Sequence, residues 1–138
     1  MKFSAPVGAA TAADAADIAS LFTAVFSQDP VWSALAPNAK TRPRVIAASF
    51  KHQTRTGLDH FDVVRGGEEE VLAALNYEAP QAQSTSPILA RLGAAAARLA
   101  SPTARRVARH DAAVHSLRPS GPHWYLKDLA TSPATRGM

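Results

Sequence analysis

The residue spacing best suited to chemistry lies in residues 121–138. A β-prone run, residues 124–126, is followed by Ser132-Pro133 and then by Arg136-Gly137. A strand that passes through a short polar turn towards a helix presents backbone N–H groups that can hold an anion such as a phosphate. The segment therefore predicts the start of a phosphate-binding turn.

This segment resembles the signature of the GNAT superfamily of acetyl-CoA-dependent N-acetyltransferases. In that superfamily a strand of the form Leu-x-Val-x-Pro precedes Arg/Gln-x-x-Gly-x-Gly/Ala. Here Leu129-Ala130-Thr131-Ser132-Pro133 precedes Arg136-Gly137-Met138, so the chain carries the beginning of the phosphate motif. The resemblance implies an α+β, GNAT-like (acyl-CoA N-acyltransferase) fold with a mixed, mostly antiparallel sheet and flanking helices.

The resemblance also implies where acetyl-CoA, the co-substrate, would bind. Main-chain groups of Leu129, Ala130 and Thr131 would face the pantetheine arm and the thioester carbonyl, where oriented N–H groups stabilise a developing oxyanion. Arg136-Gly137-Met138 would begin the pyrophosphate loop, where aligned amides favour an anion. The alternative is a strand that simply leads into a turn.

The acceptor side of such a site needs a group that removes a proton from an alkylammonium, whose pKa is about 10. Tyr125 is the first candidate for a residue of this site, because it would line the acceptor pocket. The alternative is that its ring only packs against neighbouring side chains. Asp128 and His123 lie nearby in the sequence. The two-residue period of a strand puts Asp128 on the face opposite Tyr125 and His123. The sequence leaves the general base unidentified.

Two further residues resemble family positions that border the acceptor. Asp29 could attract an amine, and Trp32 could stack on it. The alternative is that Asp29 ends the first helix and Trp32 packs in the core. Phe26 and Asp29-Pro30 also make the chain similar to the puromycin N-acetyltransferase-like group of the superfamily.

Local patterns predict the elements that position these residues. Thr11 and Asp14 form a capping pair ahead of an apolar run with helical spacing that ends at Asp29-Pro30. Ser-Pro pairs open two later helices. The predicted order is an edge strand at Ala5–Ala9, the first helix, a turn or short helical connection at residues 31–35, a helix at Thr41–Arg55, a hairpin of His60–Arg65 and Glu70–Tyr77, helices at Pro87–Ala100 and Pro102–Leu117, and a last strand at His123–Thr131.

The composition limits the class of protein. A chain of 138 residues with 46% hydrophobic and 19% charged residues fits one globular domain. Cysteine is absent, which excludes disulfides and thiolate zinc sites, and His110 and His115 are spaced wrongly for a shared metal on a helix. We expect no metal. The N-terminus lacks a secretory apolar region and no apolar run could span a membrane, so we expect a cytoplasmic protein.

The net charge of +4 leaves a rival function open. Arginines in residues 91–109 suit nucleic acid, but aromatic residues for base stacking are absent there, so solvated arginines explain the charge better. We expect no nucleic-acid and no membrane partner.

Residues 1–138 are thus interpreted as one incomplete GNAT-like domain that stops before the cofactor-binding helix. The expected activity of the parent domain is transfer of acetyl from acetyl-CoA to a primary amine of a small molecule or peptide, by direct attack in a ternary complex. We expect this chain to be inactive alone, with its last strand covered by a second copy or a complementing chain. The alternative is a non-catalytic half-domain that acts or folds only with a partner chain.

Overall fold

A computed structural model of the chain describes residues 5–80 and 101–137. These residues form two compact units, one of residues 5–78 and 126–137 and the other of residues 79–80 and 101–125. The predicted helix at Pro87–Ala100 and residue Met138 lie outside the described residues.

The helices of the first unit begin at the capping signals in the sequence. The Asp14 carboxylate accepts hydrogen bonds from the N–H (2.6 Å) and hydroxyl (2.8 Å) of Thr11 at the 3-10 turn Ala12–Asp14, which leads into α1 (Ala15–Phe26). Helix α2 (Pro30–Leu35) follows, and α3 (Arg42–Thr56) ends at Gly57. The 3-10 turn Leu58–His60 then leads into the sheet.

The sheet has four strands in the order β1-β2-β3-β4. They are β1 (Val7–Ala9), β2 (Phe61–Arg65), β3 (Val71–Glu78) and β4 (Tyr125–Thr131). β1 pairs antiparallel with β2. β2 pairs antiparallel with β3, and the register of this pairing shifts between Val64 and Arg65. The contacts between β3 and β4 follow an antiparallel register, because they join Leu72 to Ser132, Asn76 to Asp128 and Glu78 to Lys127. β1 and β4 therefore lie at the two edges of this sheet.

Helices α1 and α3 pack on one face of the sheet and close the core of the first unit. Phe22 of α1 stacks on Phe50 of α3 with ring centroids 4.2 Å apart, and Phe61 of β2 meets Phe22 edge-on. Ala74 of β3 and Ala130 of β4 face the same core. The core members are Ile18, Ala19, Leu21, Phe22, Ile46, Phe50, Phe61, Val63, Val71, Ala74 and Ala130.

In the second unit, α4 (Pro102–Ser116) begins at Ser101, whose hydroxyl accepts a hydrogen bond from the Ala104 N–H at 3.3 Å. Pro102 occupies the first turn of α4, where its missing N–H costs nothing. The sequence prediction of a helix over Pro102–Leu117 is thus confirmed to within one residue.

Within the described residues the predicted elements are confirmed in kind, and the bounds of all four strands differ by one or two residues; β3, for example, runs over Val71–Glu78 rather than Glu70–Tyr77. β1 begins at Val7 rather than Ala5, because Pro6 has no N–H for the ladder. β2 begins at Phe61, since His60 completes a 3-10 turn by donating its N–H to the Gly57 carbonyl. β4 begins at Tyr125 rather than His123, after a turn in which Gly121 has a φ of +88°.

Candidate functional site

The end of β4 is the point where the phosphate-binding turn was predicted. Ala130 is buried, whereas Leu129 and Thr131 are exposed. The Ser132 N–H donates to the Leu72 carbonyl at 2.7 Å, which fixes the end of the strand against β3. Among the described residues no strand pairs with the other edge of β4.

A 3-10 turn, Pro133–Thr135, follows β4. The Thr135 hydroxyl donates to the Ser132 carbonyl at 3.0 Å and holds this turn closed. Arg136 is exposed, and Gly137 has a φ of +81°, a conformation that favours glycine. The strand, the turn and an accessible cation therefore follow one another in the predicted order.

Asp29 and Trp32 have structural partners. The Asp29 carboxylate accepts hydrogen bonds from the N–H groups of Val31 (2.9 Å) and Trp32 (3.1 Å), so it is the N-cap of α2. The Trp32 ring lies 6.4 Å from the Phe50 ring and is partly buried against the core. Trp32 therefore packs as the structural alternative predicts, whereas Asp29 begins α2 and does not end the first helix, which stops at Phe26. An acceptor-binding role for either residue stays a prediction.

Arg42 holds the connection that carries Asp29 and Trp32, and sequence reasoning missed it. Its guanidinium donates to three carbonyls, those of Ala36 (2.8 Å), Ser27 (2.9 Å) and Pro37 (3.1 Å). A planar guanidinium can reach three acceptors in fixed directions, which fixes α2 between α1 and α3. No signal in the sequence reveals this role, because the acceptors are backbone atoms.

Tyr125 lies in the second unit. The Arg118 guanidinium stands over its ring, 3.6 Å from the centroid, in a cation–π contact. The ring is half-buried, so part of it stays accessible. The assignment of Tyr125 as a catalytic or pocket-lining residue stays a prediction.

Asp128 lies on the core side of β4, in line with Ala130 and as the strand period predicts. Its carboxylate accepts a hydrogen bond from the side-chain amide of Asn76 at 2.9 Å. Sequence reasoning missed Asn76. The available signal was a polar residue two positions after Ala74 on the inward face of an alternating strand.

Asp14, Arg65 and Tyr77 of the first unit have shifted pKa values. Hydrogen bonds from Arg65, helped by those from Thr11 and opposed by burial, lower the pKa of Asp14 from 3.8 to about 2. Asp14 in turn raises the pKa of Arg65. Burial, followed by the charges of Asp62 and Asp59, raises the pKa of Tyr77.

Within residues 5–80 and 101–137, no three acidic or histidine side chains come together as ligands for a metal ion. None of the helices in these ranges is both long enough and apolar enough to cross a membrane.

The comparisons with known proteins find a likeness to a solved structure. No protein-family model and no curated protein matches the sequence. The chain is similar to a crystal structure described as histone acetyltransferase HPA2 and related acetyltransferase, from Corynebacterium glutamicum, with a TM-score of 0.66 and 26% sequence identity. The likeness covers 98% of this chain, which spans 64% of that protein's length.

The chain has the fold of a GNAT acetyltransferase. The predicted α+β class and mostly antiparallel sheet are therefore confirmed. GNAT acetyltransferases use acetyl-CoA. The end of β4 combines an edge strand of the described sheet, a closed 3-10 turn, and an exposed Arg136 beside a glycine with positive φ.

Proposed function

We propose that this chain forms the acceptor side and the beginning of the cofactor site of an N-acetyltransferase. The reaction is transfer of an acetyl group from acetyl-CoA to a primary amine of a small molecule or peptide, by direct attack in a ternary complex. The fold likeness to an acetyltransferase over nearly the whole chain is the observation that supports this proposal most.

The roles of individual residues belong to the same proposal. Main-chain groups of Leu129, Ala130 and Thr131 bind the pantetheine arm and stabilise the oxyanion that forms on the thioester carbonyl. Arg136-Gly137-Met138 begins the loop that binds the pyrophosphate. The edge position of β4 in the described sheet and the exposed Arg136 support these assignments.

The finer classification is also a proposal. Phe26 and Asp29-Pro30 after the first helix support a position near the puromycin N-acetyltransferase-like group. The absence of cysteine supports a cytoplasmic location.

Acetylation of a panel of amines tests the function. The natural protein is incubated with acetyl-CoA and a set of primary amines, both small molecules and peptides. We expect mass spectrometry to detect an acetylated primary amine and a matching release of free CoA thiol. Tertiary amines are the control, since they cannot form a stable amide. Absence of any acetylated amine, together with absence of acetyl-CoA binding, would refute the proposal.

An alternative function is supported by the apolar edge strand. Leu126 and Leu129 of β4 are 53% and 56% exposed. Exposed apolar residues on a sheet edge favour pairing with another polypeptide. In this alternative the chain is non-catalytic alone and acts or folds only with a second copy or a complementing chain.

A further inference from the structure

The ends of three helices of the first unit meet at the Arg42 guanidinium. Arg42 is the first residue of α3. Ser27 and Ala36 are the C-cap residues of α1 and α2, and their carbonyls accept hydrogen bonds from Arg42 at 2.9 and 2.8 Å. Pro37, the next residue, supplies a third acceptor at 3.1 Å. One side chain thus joins the ends of α1 and α2 to the start of α3.

The charge and the shape of Arg42 both suit these acceptors. Carbonyls at the C-terminus of a helix have no partner within the helix and carry the negative end of its dipole. A guanidinium satisfies them with charge-assisted hydrogen bonds, and its planar fork fixes their directions. A lysine would present the same charge as a single point, without such a fork. The contact therefore fixes the orientation of α2 as well as its position.

Helix α2 depends on contacts of this kind because it is short. Its six residues form fewer than two turns, and so short a helix is not stable in water on its own. The Asp29 carboxylate caps its start, and its Trp32 ring lies 6.4 Å from the Phe50 ring of α3. Arg42 holds its C-terminal end. Loss of Arg42 should leave the start of α2 capped and let its end pivot.

All donors and acceptors of this contact belong to the chain itself, so Arg42 orients α2 independently of a substrate. The same contact sets the direction of the segment that carries Asp29 and Trp32, the two residues with a predicted acceptor role. A site that is ordered in advance binds more tightly than one that must be ordered by its ligand. When only a fraction of the molecules has the competent arrangement, the apparent affinity falls by that fraction.

We propose that Arg42 is a positioning residue of the acceptor side, which presets α2 for the amine. This inference rests on the proposed acetyl transfer and on the predicted acceptor role of Asp29 and Trp32. Arg42 acts on the amine only through the orientation of α2. Its loss lowers the fraction of molecules that is ready to bind the amine and leaves the chemical step intact once the amine is bound. The effect therefore belongs to KM for the amine, while kcat stays the same.

Steady-state kinetics of matched variants of the natural protein test this inference, with the best primary amine of the acetylation panel as the acceptor. We expect Arg42→Gln to raise KM for this amine about tenfold, which corresponds to a competent fraction of about one tenth. The values of kcat and of KM for acetyl-CoA should stay unchanged. Arg42→Lys should also raise KM for the amine, and it serves as the test if Arg42→Gln does not fold.

The control Arg44→Gln removes an exposed arginine from the same first turn of α3 and should leave all three constants unchanged. A KM for the amine that is equal in the Arg42 variants and in this control would overturn the inference. A general loss of stability would not produce the expected pattern, because it would not single out the amine.

Hydrogen exchange at the end of α2 separates a failure of the inference from a failure of the proposed function. The Ala36 N–H donates to the Trp32 carbonyl at 2.8 Å. This amide should exchange faster in Arg42→Gln than in Arg44→Gln, because exchange follows local opening. Equal exchange would show that Arg42 does not fix α2, and the inference would be wrong whether or not amines are acetylated. If exchange is faster but KM for the amine is normal, the inference is wrong and the proposed function stands. If the wild-type protein acetylates no amine, the proposed function fails and this inference fails with it.

Discussion

At the scale of single residues, the ion pair between Asp14 and Arg65 is the strongest electrostatic contact described. Arg65 Nε and Nη2 donate to the two oxygens of a carboxylate that is only 6% exposed. The same guanidinium donates to the Ala9 carbonyl at 3.1 Å. One side chain thereby ties β1, β2 and the start of α1 together.

The lowered pKa of Asp14 predicts an acid-dependent loss of stability. The folded-state pKa is about 2 against an ordinary 3.8, so the unfolded chain takes up the proton first as the pH falls. The stabilisation, about 2 kcal/mol, is therefore complete above about pH 4 and is lost between pH 4 and 2. Urea unfolding of the first unit at a series of pH values measures it.

Asp14→Asn should remove this pH dependence and lower the free energy of unfolding, because Arg65 loses the carboxylate that accepts its two hydrogen bonds. The exposed Asp17→Asn is the control and should retain the wild-type slope. An unchanged acid slope in Asp14→Asn would show that other carboxylates cause the loss.

At the scale of elements, the N-cap of α2 offers a test of whether Asp29 only caps the helix or also attracts the acceptor amine. Serine is also a good N-cap but carries no charge. Asp29→Ser should therefore keep the wild-type unfolding free energy, whereas Asp29→Ala should lose about 1 kcal/mol. If Asp29 also attracts the amine, both variants should raise KM for the amine in the acetylation assay. A normal KM in Asp29→Ser would leave Asp29 as a helix cap alone.

Most elements could be predicted from local sequence, because their determinants are neighbours in the chain. The Thr11–Asp14 pair begins α1, and Gly66-Gly67 turns β2 into β3. Asn76 and Asp128 lie 52 positions apart, so their contact depends on a sheet order that local patterns do not specify. The Arg42 hydrogen bonds could not be predicted either, because their acceptors are backbone carbonyls, which every residue carries. The resemblance supplied the candidate residues at the end of β4, and their roles stay predictions.

At the scale of the whole molecule, the edge position of β4 predicts association. We expect light scattering of the 138-residue chain to show a mass that rises with concentration. Leu126→Lys should reduce this association, because a lysine on an edge strand opposes pairing. Leu117→Lys is the matched control, since Leu117 is 84% exposed but lies in the other unit and outside the sheet. A single monomeric mass at all concentrations would contradict this prediction.

Calorimetric titration of the natural protein with acetyl-CoA tests the central claim most directly. The account predicts binding with a Kd of roughly 1 µM to 1 mM, the range usual for enzyme substrates. Arg136→Gln should weaken binding about tenfold, as expected for the loss of one charge-assisted hydrogen bond, whereas Arg105→Gln on the exposed side of α4 should not. Absence of binding to the wild-type protein, or equal binding by the two variants, would contradict a cofactor site that begins at the end of β4.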